Sequence, residues 1–223
     1  MMAKTSLPSR RLLLGAVLGL WLVYATPSVS APSPSAPADG AAAAPDDNAV
    51  AATQVVESFQ SALIRAAAEA QCAARVAPLS AAVAELFDIP GIARQVLRRQ
   101  WGTLDPSARR RFAAALQELT VLGFATRFTA RAAVFSPAEV QRRQGDRILV
   151  NSALQRPDDA PVRFSYLLAA RNDGWAIQNV VVAGVSELSL RSAQYGDLVE
   201  REGFDALMGR MNEEIKETRA LCE

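Results

Sequence analysis

Few residue types in this sequence could do chemistry. The chain has 223 residues, no histidine and two cysteines. Without an imidazole it cannot form a Ser/His/Asp or Cys/His nucleophile pair, nor a His-ligated zinc or haem site. Two cysteines cannot complete a four-cysteine metal cluster. We therefore expect neither a metal nor a cofactor.

The other catalytic candidates are weak. Gly184-Val185-Ser186 begins like a nucleophile elbow, but Leu188 takes the place of the closing glycine. A buried carboxylate beside Tyr166 could transfer protons. Asp105, however, is better explained as a helix cap, and Glu118 as a solvated helix residue. The sequence predicts a protein that is not an enzyme.

The two cysteines, Cys72 and Cys222, leave two interpretations open. In an oxidising compartment a disulfide between them would join the first helix of the domain to the last. Alternatively, Cys72 is an apolar filler in an Ala-rich helix, and Cys222 stays free near the end of the chain.

The N-terminal residues have the pattern of a signal peptide. Lys4, Arg10 and Arg11 precede an uncharged apolar run over residues 12–25, and small residues follow it. As a helix this run reaches about 21 Å, short of a bilayer core of roughly 30 Å. We predict a signal peptide over residues 1–30 and a periplasmic protein. Sec export is favoured over the twin-arginine route that Ser9-Arg10-Arg11 resembles.

Residues 31–48 are small, Pro-rich or polar, which is typical of a flexible linker. The remaining residues, 49–223, are predicted to form a single domain. The leader carries three basic residues and no acidic one, so the net charge of +1 becomes −2 without it. This balance argues against nucleic acid as a partner.

The first part of the domain, residues 49–133, has helical periodicity. Residues 50–74 predict an amphipathic helix, and Pro78 and Pro90 are each expected to open a further helix. Asp105-Pro106 predicts the start of a long helix running to about Ala132. Its apolar stripe comprises Phe112, Leu116, Leu119, Leu122, Ala125 and Phe128.

Residues 134–185 change to a strand period, and residues 186–223 return to helices, one of them after Gly203. Four strands are predicted over 138–143, 147–154, 162–171 and 175–182, with short links that indicate an antiparallel meander. One face of the third strand holds Val162, Phe164, Tyr166 and Leu168, and one face of the fourth holds Trp175, Ile177 and Val181. The predicted fold is α+β. It comprises a curved antiparallel sheet of about four strands (NTF2-like), packed by helices, with a helical extension.

A set of short motifs from Phe87 to Met211 carries a family resemblance. They are Phe87-Asp88, Val96-Leu97, Trp101, Leu104-Asp105-Pro106, the segments 162–168, 174–177, 183–188 and 203–207, Arg191-Ser192 and Tyr195. Together they resemble the MlaC-like family of periplasmic phospholipid-transport proteins, also called toluene-tolerance or auxiliary transport proteins. The likeness is greatest to its hopanoid-biosynthesis-associated branch. This chain has Leu97-Arg98-Arg99 where the family often has Leu-Gly, and Asn179 where an Asp is usual.

The resemblance implies a monomeric lipid carrier that serves outer-membrane lipid asymmetry. Its implied partners are a phospholipid or a related lipid such as a hopanoid, an inner-membrane ABC-type complex and an outer-membrane lipoprotein complex. We expect the inward faces of the helices and strands to line the lipid cavity, with Val185 and Leu188 near its opening and an arginine at the headgroup. The other expected lining residues are Phe112, Leu116, Leu119, Phe128, Phe164, Tyr166, Leu168, Trp175, Ile177 and Val181.

A second interpretation keeps the same fold without cargo. Each of these apolar residues would then pack in an ordinary core. The protein would be a non-catalytic scaffold subunit of an inner-membrane lipid-transport or hopanoid complex.

Overall fold

The computed structural model describes residues 46–129, 132–157 and 159–223. The predicted signal peptide, and the predicted linker up to residue 45, lie outside these ranges. Within them no helix has the length and apolar character needed to cross a membrane. The helices are α1 (Asp47–Ala68), α2 (Cys72–Leu86), α3 (Ile89–Leu97), α4 (Arg99–Thr103), α5 (Pro106–Arg127), α6 (Glu187–Glu202) and α7 (Phe204–Ala220). The strands are β1 (Val134–Phe135), β2 (Glu139–Gln144), β3 (Arg147–Arg156), β4 (Asp159–Arg171), β5 (Gly174–Val182) and β6 (Val185–Ser186).

Helix α1 begins within the predicted linker because Asp46 caps it. The Asp46 side chain accepts a hydrogen bond from the backbone N–H of Asn48 at 3.1 Å. The predicted single helix over residues 50–74 is wrong, since α1 ends at Ala68 and α2 starts at Cys72. Pro78 does not open a helix but lies inside α2. A proline has no N–H, so the carbonyl of Ala74 lacks its helical hydrogen bond. The proline is tolerated because Ala74 and Pro78 are both exposed to water.

A buried arginine fastens the corner between α1 and α2. Arg75 is 6% exposed, and its guanidinium donates to the carbonyl of Glu69 at 2.8 and 3.0 Å. It also donates to the carbonyl of Ala125, near the end of α5, at 3.2 Å. One side chain therefore joins the ends of two helices.

The predicted helix after Pro90 is divided into α3 and α4 at Arg98. Asp88 caps α3 by accepting from the N–H of Gly91 at 2.9 Å. A Cβ at Gly91 would overlap the Asp88 carboxylate, so the cap requires glycine at this position. Arg98 has φ 49° and ψ −120°, which are values typical of glycine in a tight turn. Arg98 stands where the MlaC-like family, which this sequence resembles, often has glycine. This chain instead has an arginine in a strained backbone conformation.

We expect Arg98→Gly to stabilise the protein. A residue other than glycine in such a backbone conformation costs of order 1–3 kcal/mol. Glycine removes that cost, but its greater conformational freedom stabilises the unfolded state by roughly 0.5–1 kcal/mol. The net gain should be about 1 kcal/mol, measured by urea unfolding. Arg98→Ala is the matched control, because it removes the side chain and keeps the strain. An equal gain in both variants would contradict this explanation.

The start of α5 confirms the predicted cap. Asp105 accepts hydrogen bonds from the N–H groups of Ala108 and Ser107 at 2.9 and 2.7 Å. These bonds hold the pKa of the Asp105 carboxyl below its usual range. The helix ends at Arg127, five residues before the predicted end.

The strands form one antiparallel sheet in the order β1-β3-β4-β5-β6, with β2 pairing beside β1 on the same edge of β3. The predicted fold class is confirmed, with the short strands β1 and β6 added to the four that were predicted. Register shifts interrupt the β2–β3, β3–β4 and β4–β5 pairs. Such bulges bend a sheet.

A bulge in β5 overturns the predicted facing of Val181. Ile177 pairs with Leu168, but Asn179 pairs with Leu167, so Gln178 is the additional residue. Beyond it the alternation is reversed. Val180 and Val182 then pair with Tyr166 and Phe164 on the inner face, whereas Val181 pairs with Ser165 on the outer face.

The helices and the sheet enclose two apolar clusters. The sheet cluster lies between α1, α2 and the inner face of the sheet, and includes Phe59, Ile148 and Tyr166. The helix cluster lies between α3, α5, α6 and α7 and includes Phe112 and Leu207. Helix α5 contributes to both. Cys72 and Cys222 form a disulfide that joins the start of α2 to the end of the chain.

Candidate functional site

A cavity of about 260 Å³ lies between α5, the sheet and the first turns of α6. Its apolar lining residues come from five elements and the segments beside them. They are Phe87, Ile92, Leu116, Gly123, Phe124, Phe128, Phe164, Val180, Val182 and Leu188. The wall is therefore mainly apolar, and it contains four phenylalanines.

The cavity marks the boundary between the two apolar clusters. Phe87, Phe164 and Val180 belong to the sheet cluster, whereas Leu116 belongs to the helix cluster. Ile92 packs against both. Residues of α5 pack into both clusters, and the cavity is the space left between the clusters along the Leu116 face of this helix.

Four of the twelve predicted lining residues line the cavity: Leu116, Phe128, Phe164 and Leu188. The other eight do not line it. Phe112 and Leu119 are buried in the helix cluster, and the sheet cluster takes Tyr166, Leu168, Trp175 and Ile177. Val181 faces outward because of the β5 bulge. Val185, predicted near the opening, is 52% exposed and is not a wall residue.

Several wall residues were not predicted. Thr120 and Phe124 follow Leu116 at intervals of four, so the helical spacing of α5 contains a signal for them. The predicted stripe instead passed through Leu119 and Leu122, which lie on neighbouring faces. Val180 and Val182 carry no such signal, because only the bulge turns them inward.

Polar side chains hold the β5 border of the cavity. Gln178 donates to the Asp88 carboxylate at 2.8 Å and accepts from the amide of Gln95 at 3.1 Å. The Asn179 amide accepts from the N–H of Leu188 at 3.2 Å and donates to the Ser186 hydroxyl at 3.0 Å. The two bonds of Asn179 fix the start of α6 beside the cavity. They use both the oxygen and the nitrogen of its amide, at a position where the MlaC-like family usually has Asp.

Three charged side chains form the mouth of the cavity, which we define as Arg127, Glu187 and Arg191. A guanidinium nitrogen of Arg127 lies 3.9 Å from a carboxylate oxygen of Glu187. Arg191 donates to the hydroxyl of Tyr195 at 3.2 Å, and that hydroxyl donates to Glu214 at 3.2 Å. Burial raises the pKa of Tyr195 to about 12, so it stays a neutral donor at physiological pH. Arg191 is thus held by its own helix, whereas among the described residues Arg127 is held by the ion pair with Glu187 alone.

Tyr166, the candidate for proton transfer in the sequence, does not line the cavity. It is fully buried in the sheet cluster, and its hydroxyl accepts from the Gln60 amide at 3.3 Å. Burial raises the pKa of Tyr166 far above its ordinary value. In the described residues no group of three or more acidic, Cys or His side chains could hold a metal ion.

A second depression of about 610 Å³ lies on the opposite face of α5, beside the disulfide. Although it is larger, its wall includes Gln117, Glu223 and the ion pair of Glu118 with Arg219. An acyl chain there would lie against charged groups. The smaller cavity is therefore the better candidate for an apolar ligand.

Comparison with known proteins identifies the family. A family model described as MlaC protein matches residues 53–213. The chain belongs to the MlaC family. The match includes α2 to α6 and most of α1 and α7, and so contains every residue that lines the cavity. No curated protein gives a significant match.

A solved structure shares the fold of this MlaC-family chain. It is a phospholipid-binding protein from Ralstonia solanacearum, determined in complex with a phospholipid. The TM-score is 0.65 over 77% of this chain and 98% of the other, at 12% sequence identity. At that identity the likeness establishes a common fold.

Proposed function

We propose that this protein is a periplasmic lipid carrier, which buries the acyl chains of a phospholipid in the cavity and moves the lipid between membrane complexes. The observation that carries the proposal is the apolar cavity between the two clusters, with charged side chains confined to its mouth. Membership of the MlaC family and a shared fold with a phospholipid-binding protein support it.

The arrangement suits an amphipathic ligand. The apolar wall provides a place for an acyl chain, and the arginines of the mouth provide donors for a phosphate. Leu116, Phe128, Phe164 and Leu188, together with the newly identified Phe124, are the proposed chain contacts. Arg127 and Arg191 are the proposed headgroup contacts.

The cavity must widen to accept such a ligand. Sites for drug-sized molecules measure roughly 300–1,000 Å³, and a phospholipid with two chains is larger than most drugs. The cavity measures about 260 Å³, so we infer that this structure represents a closed form. We propose that it opens by separation of the helix cluster from the sheet cluster, because the cavity lies along their boundary.

Release of the lipid must be assisted by a partner. At about 0.8 kcal/mol per methylene, burial of one 16-carbon chain is favourable by roughly 13 kcal/mol. Spontaneous release would be slow, so a partner must favour the open form or present a membrane. We propose inner-membrane ABC-type and outer-membrane lipoprotein complexes as these partners, and a monomer as the carrier. The same proposal includes residues 1–30 as a signal peptide, 31–48 as a linker whose last two residues begin α1, and 49–223 as the carrier domain.

Lipid extraction tests the proposed function. The protein is purified from the periplasm without detergent, and its organic extract is analysed by mass spectrometry. We expect one phospholipid per protein molecule and, after delipidation, uptake of lipid from vesicles of phosphatidylglycerol and phosphatidylethanolamine. A stoichiometric hopanoid would change the cargo and keep the carrier.

The opposite outcome would support the scaffold interpretation. Protein that carries no lipid, and that takes up none from these vesicles, would contradict the proposed function. The small size of the cavity is the observation that favours this second candidate, since a scaffold would fill the space with its own side chains.

A further inference from the structure

The mouth of the cavity carries an uneven set of charges. Of the charged residues that line the cavity, Arg127 and Arg191 are basic and only Glu187 is acidic. The mouth therefore has one excess positive charge. A phosphodiester carries one negative charge, so it would neutralise the excess.

The contact between Arg127 and Glu187 is weak. The nitrogen and oxygen are 3.9 Å apart, and the side chains are 67% and 40% exposed. Exposed ion pairs at this distance contribute little, because water and salt screen them. A phosphate can bind a guanidinium through two parallel hydrogen bonds, which is a stronger contact.

The two residues also lie on the two sides of the cavity. Arg127 is the last residue of α5 and Glu187 is the first residue of α6. Their contact therefore bridges the α5 and α6 sides of the mouth. A ligand group that takes Arg127 away from Glu187 would remove this bridge.

We infer that Glu187 is a competing counter-ion for Arg127, which exchanges with the phosphate of the lipid headgroup when the lipid enters and leaves. This inference rests on the proposed lipid-carrier function and makes the mouth selective for lipids that carry a phosphate. While the cavity is empty, Glu187 forms the ion pair with Arg127. When a phosphate binds, the bridge opens, and its return favours release.

The inference is tested with two short-chain lipids that differ only in the phosphate-bearing headgroup. Dihexanoyl phosphatidylglycerol and dihexanoylglycerol dissolve as single molecules, and their dissociation constants are measured by titration calorimetry on delipidated protein. We expect Glu187→Gln to bind the phosphatidylglycerol about three- to fivefold more tightly, a range set by the small contribution of exposed ion pairs. We expect Arg127→Gln to bind it more weakly by a similar factor. Both changes should affect the affinity for dihexanoylglycerol much less, because that lipid has no phosphate.

The chain offers a matched control pair. Arg99 and Glu200 form an exposed ion pair at 2.6 Å that includes the same helix, α6, and lies outside the cavity wall. Glu200→Gln and Arg99→Gln should leave both affinities unchanged. Equal affinity of Glu187→Gln and the native protein for phosphatidylglycerol would overturn the inference, as would an equal effect on dihexanoylglycerol. In either case the carrier function would stand, whereas binding of neither lipid would contradict the proposed function itself.

Discussion

Gly123→Phe should weaken lipid binding by roughly a hundredfold while the protein remains folded. Gly123 is buried on the face of α5 that lines the cavity, so a phenylalanine ring at this position fills space proposed for an acyl chain. The nearest atoms to an added Cβ belong to the Arg127 guanidinium, the far end of a flexible side chain that can move away. If the ring excludes four methylenes, the loss is about 3 kcal/mol, or roughly a hundredfold in affinity.

The fold should tolerate this change. Glycine is among the poorest residues in a helix interior, so replacing it costs α5 nothing in helix propensity. Lipid uptake is measured with delipidated protein, and thermal unfolding of the lipid-free form is measured beside it. Gly209→Phe is the matched control, because Gly209 is an exposed helical glycine of α7 with open space around it. A folded Gly123→Phe protein that takes up lipid like the native chain would place the cargo elsewhere.

Removal of the disulfide should cause the largest loss of stability. Cys72 and Cys222 are separated by 150 residues, so the bond restricts nearly the whole unfolded domain. In the chain-entropy model a loop of this length contributes about 5 kcal/mol. We expect the double variant Cys72→Ala with Cys222→Ala to lose most of that amount in urea unfolding. Alanine avoids placing a hydroxyl at the buried Cys222.

Reduction provides the control for this experiment. Native protein unfolded in the presence of a reductant should match the double variant, and the variant itself should not respond to the reductant. The cavity wall includes neither cysteine, so lipid binding at low temperature should persist. A native midpoint that is the same with and without reductant would show that the bond does not stabilise the fold.

The parts of the fold that were predicted correctly depend on neighbouring residues. Asp105-Pro106 carries its own cap and first turn, and Gly203, with φ 88°, permits the turn between α6 and α7. Pro78 misled the prediction, because a proline inside a helix has the same local pattern as one that opens it. Only the exposure of that face, which is a tertiary property, makes its position in α2 acceptable.

The cavity wall was predicted less completely because it depends on distant pairing. Leu116 and Leu119 are both apolar residues of α5, yet only Leu116 borders the cavity. Both belong to the helix cluster, and the way α5 packs against the sheet and α6 decides which of the two also borders the cavity. The bulge at Gln178 similarly reverses the facing of Val180 and Val181, and it is defined by pairing with β4.

The corner that Arg75 fastens also bears on how the domain withstands acid. The hydrogen-bond acceptors of Arg75 are backbone carbonyls near the ends of α1 and α5, where the helix dipoles favour a positive charge. Carbonyls, unlike carboxylates, do not become protonated as the pH falls. The corner should therefore persist through an acidification that would neutralise the acidic partner of an ordinary buried ion pair, and the two helix ends would stay joined.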